Sequence, residues 1–272
     1  MTTTPPPPPR LRSWRPFATI SAIAAASLGA YALGAVFPPT SISILFPRTA
    51  PAPPDPASPE AIAYTESLES QLQNIPLLQS LRQRADADEW YEVRPYQNFP
   101  EERRVNSLTS GALRGPGKLA LPGLIRAKKD ESESFAFVHV GRGLCGHDGI
   151  IHGGLLATLL DETLGRIAIV NLPDKIGVTA KLSLNYRAPT RADQFIVIKT
   201  FLDEAKGRKT VVSGRIEDLD GTVLVEATAL FVQPRYAKLL NTGLIKQAMG
   251  EPPNSDTPVH LADGEKLRPK MK

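Results

Sequence analysis

A run of apolar residues between Gly154 and Val170 is the strongest hydrophobic pattern in the chain. The run contains no proline, and Leu, Ile, Val or Ala occupies nearly every angular position around a helix. A helix that is apolar on all sides is buried in the fold, whereas a surface helix has one polar face. The pattern therefore predicts a long central helix.

Shorter apolar stretches on both sides of this helix predict β-strands. The predicted strands are Leu124–Lys128, Phe135–Val140, Val178–Arg187, Phe195–Leu202, Thr210–Ile216 and Thr222–Val232. Short turns join the later strands, and one of them ends in the hairpin signal Asp220-Gly221. Strands that follow one another without intervening helices form antiparallel sheets. The predicted fold class is α+β, with an antiparallel sheet wrapped around one long central helix and preceded by N-terminal helices.

The region before these strands predicts two short helices that brace the domain. Ser58-Pro59-Glu60 has the cap, the early proline and the early acid of a helix start. Pro76 separates the first apolar stripe from a second helical piece that runs through Leu81. Between Trp90 and Pro122 the periodicity is weak and glycines are frequent, which predicts a loop.

Residues 1–54 have the composition of a mitochondrial targeting segment. They contain no Asp or Glu and four arginines. The uncharged run Phe17–Phe37 is long enough to span a bilayer, with arginines on its N-terminal side. Three interpretations remain open: a presequence with a retained inner-membrane anchor, a fully cleaved presequence that leaves a soluble matrix protein, and a secretory signal cleaved after Ala30-Tyr31-Ala32. We expect mitochondrial delivery, with membrane attachment through residues 17–37.

Length, charge and cysteine count limit the classes of protein that remain. The chain has 272 residues, a formal net charge of +4 and one cysteine. A single cysteine excludes an internal disulfide, and the small, scattered charge argues against nucleic-acid binding. Four scattered histidines offer no metal-ligand spacing, so we expect neither a metal nor another cofactor. The predicted organisation is a targeting segment at 1–54, a linker with bracing helices at 55–118, the main domain at 119–235 and a tail at 236–272.

Asp161 places a carboxylate inside the apolar helix. Burial of an ionised group costs several kcal/mol unless a partner compensates it, so this acid requires a functional reason. The same helix opens with His152-Gly153-Gly154, which leaves bare amides at the positive end of the helix dipole. Asp161 lies nine residues after His152, which is about 13 Å along the axis and on the opposite side of the helix. If both ends act on one substrate, the acid comes from a second copy in a two-fold dimer.

Other motifs near this helix have simpler explanations. Gly141–Gly146 matches the dinucleotide fingerprint, but Gly149 interrupts it and hairpins follow, so we interpret it as a flexible loop. Cys145 lies among glycines and is interpreted as a packing residue, not a nucleophile. Glu162 is a rival acid, but Arg166 follows four residues later, which predicts a helical salt bridge between the two.

Four sequence blocks, in order, resemble the hotdog-fold acyl-CoA thioesterase superfamily, and are most similar to its mitochondrial carboxyl-terminal modulator protein type. The blocks are His152–Asp161, Val178–Pro189, Gly207–Lys209 and Glu226–Phe231. The resemblance covers residues 120–233 and not the N-terminal segment or the tail. It implies the hotdog fold, a homodimer or a dimer of dimers, and hydrolysis of fatty acyl-CoA to free acid and CoA.

The resemblance also assigns roles to individual residues. The family's catalytic acid falls on Asp161, its assisting threonine on Thr179, and its oxyanion contact on the turn formed by His152 and Gly153. The positions that contact CoA fall on Asn185, Arg187, Arg208 and Lys209. Whether the acid serves as general base or as nucleophile stays open.

Gly146 departs from the family pattern. Some relatives carry an asparagine there, six residues before the His-Gly-Gly motif. The second oxyanion donor of those relatives is therefore missing at this position. The alternative function, from a different class, is a non-catalytic hotdog module that is tethered to a membrane and binds acyl-CoA or a protein partner.

Overall fold

The computed structural model describes residues 15–36, 52–97, 99–147 and 149–237. The chain divides into two compact units, Met1–Thr49 and Ala50–Lys272. The described part of the first unit is one helix, α1 (Arg15–Val36). The rest of the predicted targeting segment up to residue 51, and the predicted tail from residue 238, lie outside the described residues.

Helix α1 coincides with the run predicted to span a membrane at residues 17–37. More than half of its residues are Ala, Ser or Gly, whose small side chains supply little apolar surface. Among the described residues, no helix combines the length and the apolar character needed to cross a membrane. The structure therefore does not support the predicted transmembrane helix, and that prediction is corrected.

The second unit contains four helices in its described residues and one main antiparallel sheet. The helices are α2 (Pro59–Gln73), α3 (Pro76–Arg82), α4 (Glu101–Arg104) and α5 (Gly153–Val170). The strands are β1 (Trp90–Val93), β2 (Leu124–Lys128), β3 (Glu133–Val140), β4 (Cys145–His147), β5 (Ile150–Ile151), β6 (Val178–Tyr186), β7 (Gln194–Lys206), β8 (Lys209–Glu217) and β9 (Val223–Val232). Seven strands form the main sheet in the order β1-β2-β3-β7-β8-β9-β6, while β4 and β5 pair separately.

The two faces of the sheet are covered by different helices. Along β3, Ala136 and Val138 belong to the core cluster that contains α5, whereas Phe135 and Phe137 belong to the cluster that contains α2 and α3. This alternation follows from the period of two in a strand. The predicted fold class, an antiparallel sheet wrapped around a long helix and preceded by N-terminal helices, is confirmed.

Strand β6 forms one edge of the sheet and is exposed along most of its length. It pairs with β9 on one side, and Val178 and Tyr186 at its two ends are 50% and 53% exposed. An edge strand presents unpaired backbone groups that can pair with another strand. This edge is therefore the place where a second copy of the chain could extend the sheet.

Arg166 of α5 is buried and bound to the turn between β2 and β3. Its Nη1 lies 2.9 Å from Glu131 Oε2, and its Nη2 donates to the Tyr91 hydroxyl. The predicted salt bridge between Glu162 and Arg166 is wrong, because Glu162 instead accepts a 2.7 Å hydrogen bond from Thr109 Oγ1. Both side chains lie under other segments of the fold, so these long-range partners replace the neighbour on the helix.

We expect Glu131→Gln to lower the free energy of unfolding by about 3 kcal/mol, because the buried guanidinium keeps its charge and loses its counter-ion. Urea denaturation monitored by circular dichroism measures the change. Glu133→Gln is the matched control, since Glu133 lies nearby and forms no ion pair within the described residues. Equal stability of the two variants would contradict the role assigned to this pair.

Candidate active site

Asp161 of α5 contacts Thr179 of β6, which is the pair that the sequence assigned to one reaction. Thr179 Oγ1 donates a 2.9 Å hydrogen bond to Asp161 Oδ1. Within the described residues no protein donor reaches Oδ2, so this oxygen is available to a water or a substrate. Asp161 is half-buried, and not fully buried as its apolar neighbours in sequence predicted, because it faces the exposed edge strand.

The start of α5 leaves one backbone amide available. His152 is the N-cap, and its Nδ1 accepts a 2.9 Å hydrogen bond from the Gly154 N–H. The Gly153 N–H has no acceptor in the part of the chain that the structure describes. Tyr186 donates a 2.8 Å hydrogen bond from its hydroxyl to the Gly153 carbonyl. The amide of Gly153 is thus held at the positive end of the helix dipole.

The ring of His152 occupies the space beside Gly146. A Cβ atom at position 146 would lie 2.9 Å from His152 Cδ2 and 3.1 Å from its Cα. These distances are too short for an ordinary contact, so an asparagine at this position requires His152 to move. The glycine at position 146 therefore leaves the space that the His152 ring needs in order to cap the helix.

The candidate residues form two groups that do not meet within one chain. Gly153 and Asp161 lie eight residues apart on α5, or about 12 Å along its axis. The pairing of the strands shows that the CoA-contact candidates are separated in the same way. Lys209 and Val178 pair with the same residue of β9, Val232, so Lys209 lies at the Thr179 end of the sheet.

The acid end consists of Asp161, Thr179, Arg208 and Lys209. The helix-start end consists of His152, Gly153, Asn185, Tyr186 and Arg187. Neither group by itself contains both an acid and a free helix amide.

The four CoA-contact candidates differ in how they are held. Arg187 forms a 2.7 Å ion pair with Glu226, and Arg208 Nη1 donates a 3.1 Å hydrogen bond to the Gln233 carbonyl. The side chains of Asn185 and Lys209 are exposed, and the structure gives them no partner among the residues it describes. All four are accessible to a ligand at the surface.

Sequence reasoning missed two features of this region. Tyr186 lies within the recognised block at the end of β6, but only the fold shows that its hydroxyl reaches the start of α5. The second feature is a cavity of about 140 Å³ between α5 and residues 95–123. Its polar lining includes Glu162 and also Thr109 and Ser110, which lie in a region whose weak periodicity predicted only loop.

Comparisons with known proteins place the chain in a family. The model of the thioesterase superfamily matches residues 148–225. A UPF0644 protein of Schizosaccharomyces pombe is 34% identical over 192 residues, which cover 66% of this chain and 72% of the relative. The uncharacterized mitochondrial membrane protein FMP10 of Saccharomyces cerevisiae is 30% identical over 175 residues, covering 63% and 68%. The chain belongs to the thioesterase superfamily.

Two further similarities are more partial. Mouse acyl-coenzyme A thioesterase THEM4 is 35% identical over 106 residues, which cover 39% of this chain and 45% of the relative. A hypothetical thioesterase protein from Streptococcus pneumoniae, crystallised with coenzyme A, is 25% identical. The match covers 37% of this chain and 80% of that protein, with a TM-score of 0.35.

Proposed function

We propose that this protein is an acyl-CoA thioesterase that hydrolyses fatty acyl-CoA to a free fatty acid and CoA. The observation that carries this proposal is the hydrogen-bonded pair of Asp161 and Thr179 on the helix that also presents the free Gly153 amide. Membership of the thioesterase superfamily and the partial similarity to THEM4 support it.

Thioester hydrolysis requires an oxyanion donor and an acid that activates water or attacks the carbonyl, and this chain offers both. The Gly153 N–H and the helix dipole stabilise the oxyanion that develops on the thioester carbonyl, and one such donor is worth about 3 kcal/mol. Asp161 either takes a proton from the attacking water or attacks the carbonyl itself to form an anhydride that water then cleaves. Thr179 holds Oδ1, which directs Oδ2 towards the reacting atoms. CoA leaves as the thiol after it takes up a proton.

A two-fold dimer completes the site. Antiparallel pairing of two β6 strands centred near Leu182 would place Thr179 of one subunit opposite Asn185 of the partner subunit. The acid end of one subunit would then meet the helix-start end of the other. CoA would contact Arg208 and Lys209 from one subunit and Asn185 and Arg187 of the partner subunit. A homodimer, or a dimer of such dimers, is therefore part of the proposal.

The direct test uses the full-length protein with a series of acyl-CoAs from acetyl to stearoyl. Release of free thiol, followed with a thiol-reactive dye, measures hydrolysis. We expect a saturable rate that depends on chain length. Binding of acyl-CoA by calorimetry without release of thiol would refute the enzyme and establish the non-catalytic module instead.

Lys209→Ala is expected to raise KM for acyl-CoA by roughly 3- to 10-fold, or about 0.7–1.4 kcal/mol of binding free energy. The side chain is exposed at a hairpin turn and suited to the phosphates of CoA, so its loss affects ground state and transition state alike. Arg208→Ala should act in the same direction. Added salt should reduce both effects, since exposed charges are screened.

Steady-state kinetics at low and high salt measure these changes. Lys129→Ala, in the turn between β2 and β3, is the matched control and should leave KM unchanged. If the Lys209 variant has the parent KM at low salt, that residue is a solvated turn lysine and does not contact CoA.

We also propose that the protein is delivered to mitochondria. The support is the absence of acids and the presence of four arginines in residues 1–54, together with the mitochondrial relative FMP10. A fluorescent protein fused after residue 54 should co-localise with a mitochondrial dye. A cytosolic or secreted fusion would contradict this proposal.

A further inference from the structure

The cavity between α5 and residues 95–123 has the size and lining of a pocket for an aliphatic chain. Its volume is about 140 Å³, and most of its wall is apolar, including Leu119, Leu121, Ile125, Val138 and Leu159. A dry apolar cavity of about 150 Å³ admits a benzene molecule. The pocket therefore has room for about six carbon atoms.

The hydroxyl of Ser110 is a buried polar group in this wall. Ser110 is 6% exposed, and its Oγ forms no hydrogen bond to any of the described residues. Buried hydroxyls are nearly always hydrogen-bonded, so an unpaired one that lines a cavity is available to a polar atom placed there. Burial and position together make Ser110 a candidate contact for a polar group at the end of the chain.

The backbone around Ser110 holds this hydroxyl in place. Residues Leu108–Ala112 form a single π-helical turn, a geometry that is rare and frequent at functional sites. A Cβ atom at Gly111 would lie 1.9 Å from the Arg104 carbonyl oxygen, so only glycine fits there. The turn thereby presents Thr109 and Ser110 to the cavity.

Glu162 provides the second polar group. Its Oε1 accepts the hydrogen bond from Thr109 Oγ1, and no donor within the described ranges reaches Oε2. Burial, and to a lesser degree the charge of Asp161, raises the pKa of Glu162, while the Thr109 hydrogen bond opposes this rise. A ligand hydroxyl can accept from Ser110 and donate to Glu162, so it satisfies both groups at once.

The arginines in the wall do not favour a carboxylate in place of the hydroxyl. Three arginines line the wall, and each already holds a carboxylate: Arg166 holds Glu131, while Arg104 and Arg114 share Glu101. A second carboxylate would also lie beside the carboxyl of Glu162. A neutral group that both donates and accepts therefore fits the pocket better than an anion does.

The pocket and the acid Asp161 both lie along α5. Leu159, Glu162, Thr163 and Arg166 of α5 line the cavity, which is the spacing of one helix face. Asp161 precedes Glu162 and lies on the neighbouring face.

On the basis of the proposed thioesterase function, we propose that this cavity receives the far end of the acyl chain. The preferred substrates are acyl-CoAs whose chain carries a hydroxyl group remote from the thioester, bound between Ser110 and Glu162.

The test separates binding from turnover and uses the full-length protein. Calorimetry compares three free fatty acids of equal length: one unsubstituted, one with a terminal hydroxyl and one with a terminal carboxyl. Hydrolysis of the three corresponding acyl-CoAs is measured in parallel. We expect the hydroxylated chain to be preferred about tenfold in both assays, which is the effect of one or two net hydrogen bonds.

In the Ser110→Ala variant, the ratio of affinities for the hydroxylated and the unsubstituted chain should fall from about ten to about one. The variant should fold at least as stably as the parent, because it removes a hydroxyl that is buried without a partner. Ser213→Ala is the matched control, since its hydroxyl binds Asp203 at a distance from the cavity, and it should retain the preference.

The remaining outcomes are also decisive. Equal binding of all three chains, or a preference for the terminal carboxyl, would overturn the hydroxyl pocket, whether or not thioesters are cleaved. A hydroxyl preference in binding that Ser110→Ala removes, without any hydrolysis, would support the pocket and refute the proposed enzymatic function.

Discussion

Replacement of Asp161 by Asn should lower kcat for acyl-CoA hydrolysis by roughly 10²–10⁴-fold, which is the range for loss of a positioned general base. Asparagine keeps the shape of the side chain and can still accept the hydrogen bond from Thr179. It cannot take a proton from water or attack a carbonyl, so the loss should fall on kcat. Binding of CoA, measured by calorimetry, should change little, because the CoA-contact candidates are other residues.

The control for this variant is Asp220→Asn, in the exposed turn before β9. It makes the same chemical change away from the acid end and should retain parent kinetics. Thr179→Ala should reduce kcat less than Asp161→Asn, because it removes the group that orients the carboxylate and leaves the carboxylate itself. A fully active Asp161→Asn variant would show that another group performs the reaction.

Gly153→Pro should lower kcat by roughly 10²–10³-fold, since it removes the one free amide assigned to the oxyanion. Proline is well accommodated at the first position of a helix, where its missing N–H breaks no helical hydrogen bond. The preceding residue, His152, has φ −61° and ψ 128°, an extended conformation that is compatible with a following proline. The substitution therefore removes the amide hydrogen without distorting α5.

Gly153→Ala is the matched control because alanine keeps the N–H. Its Cβ would lie 3.4 Å from the Tyr186 ring, an ordinary contact, so the variant should stay within a few-fold of the parent. If kcat fell equally in the alanine and proline variants, the cause would be the added side-chain atoms at position 153 and not the loss of the amide hydrogen.

Mixed dimers of Asp161→Asn and Gly153→Pro test whether the two ends act across subunits. Random mixing yields dimers of which half contain one subunit of each kind, and each of these has one intact shared site. Activity should recover to roughly a quarter of the parent value, far above that of either variant alone. No recovery would show that each subunit carries its own complete site.

The sequence by itself determined the elements whose signals lie in consecutive residues. The apolar run predicted α5 to within one residue of its start, because a buried helix needs apolar side chains all around it. Ser58 was identified as a cap from its place before Pro59, and it accepts the Ala61 N–H as caps do.

Only the tertiary structure decided which distant groups meet. Arg166 does not bind Glu162, which is four residues away on the same helix, but binds Glu131, 35 residues away. Glu162 binds Thr109, 53 residues away. Spacing along a helix cannot predict such partners, because burial under another segment makes a long-range contact stronger than an exposed pair one turn apart. Asp161 is half-exposed because β6 lies at the edge of the sheet. The periodicity of a single strand does not predict its place in the strand order.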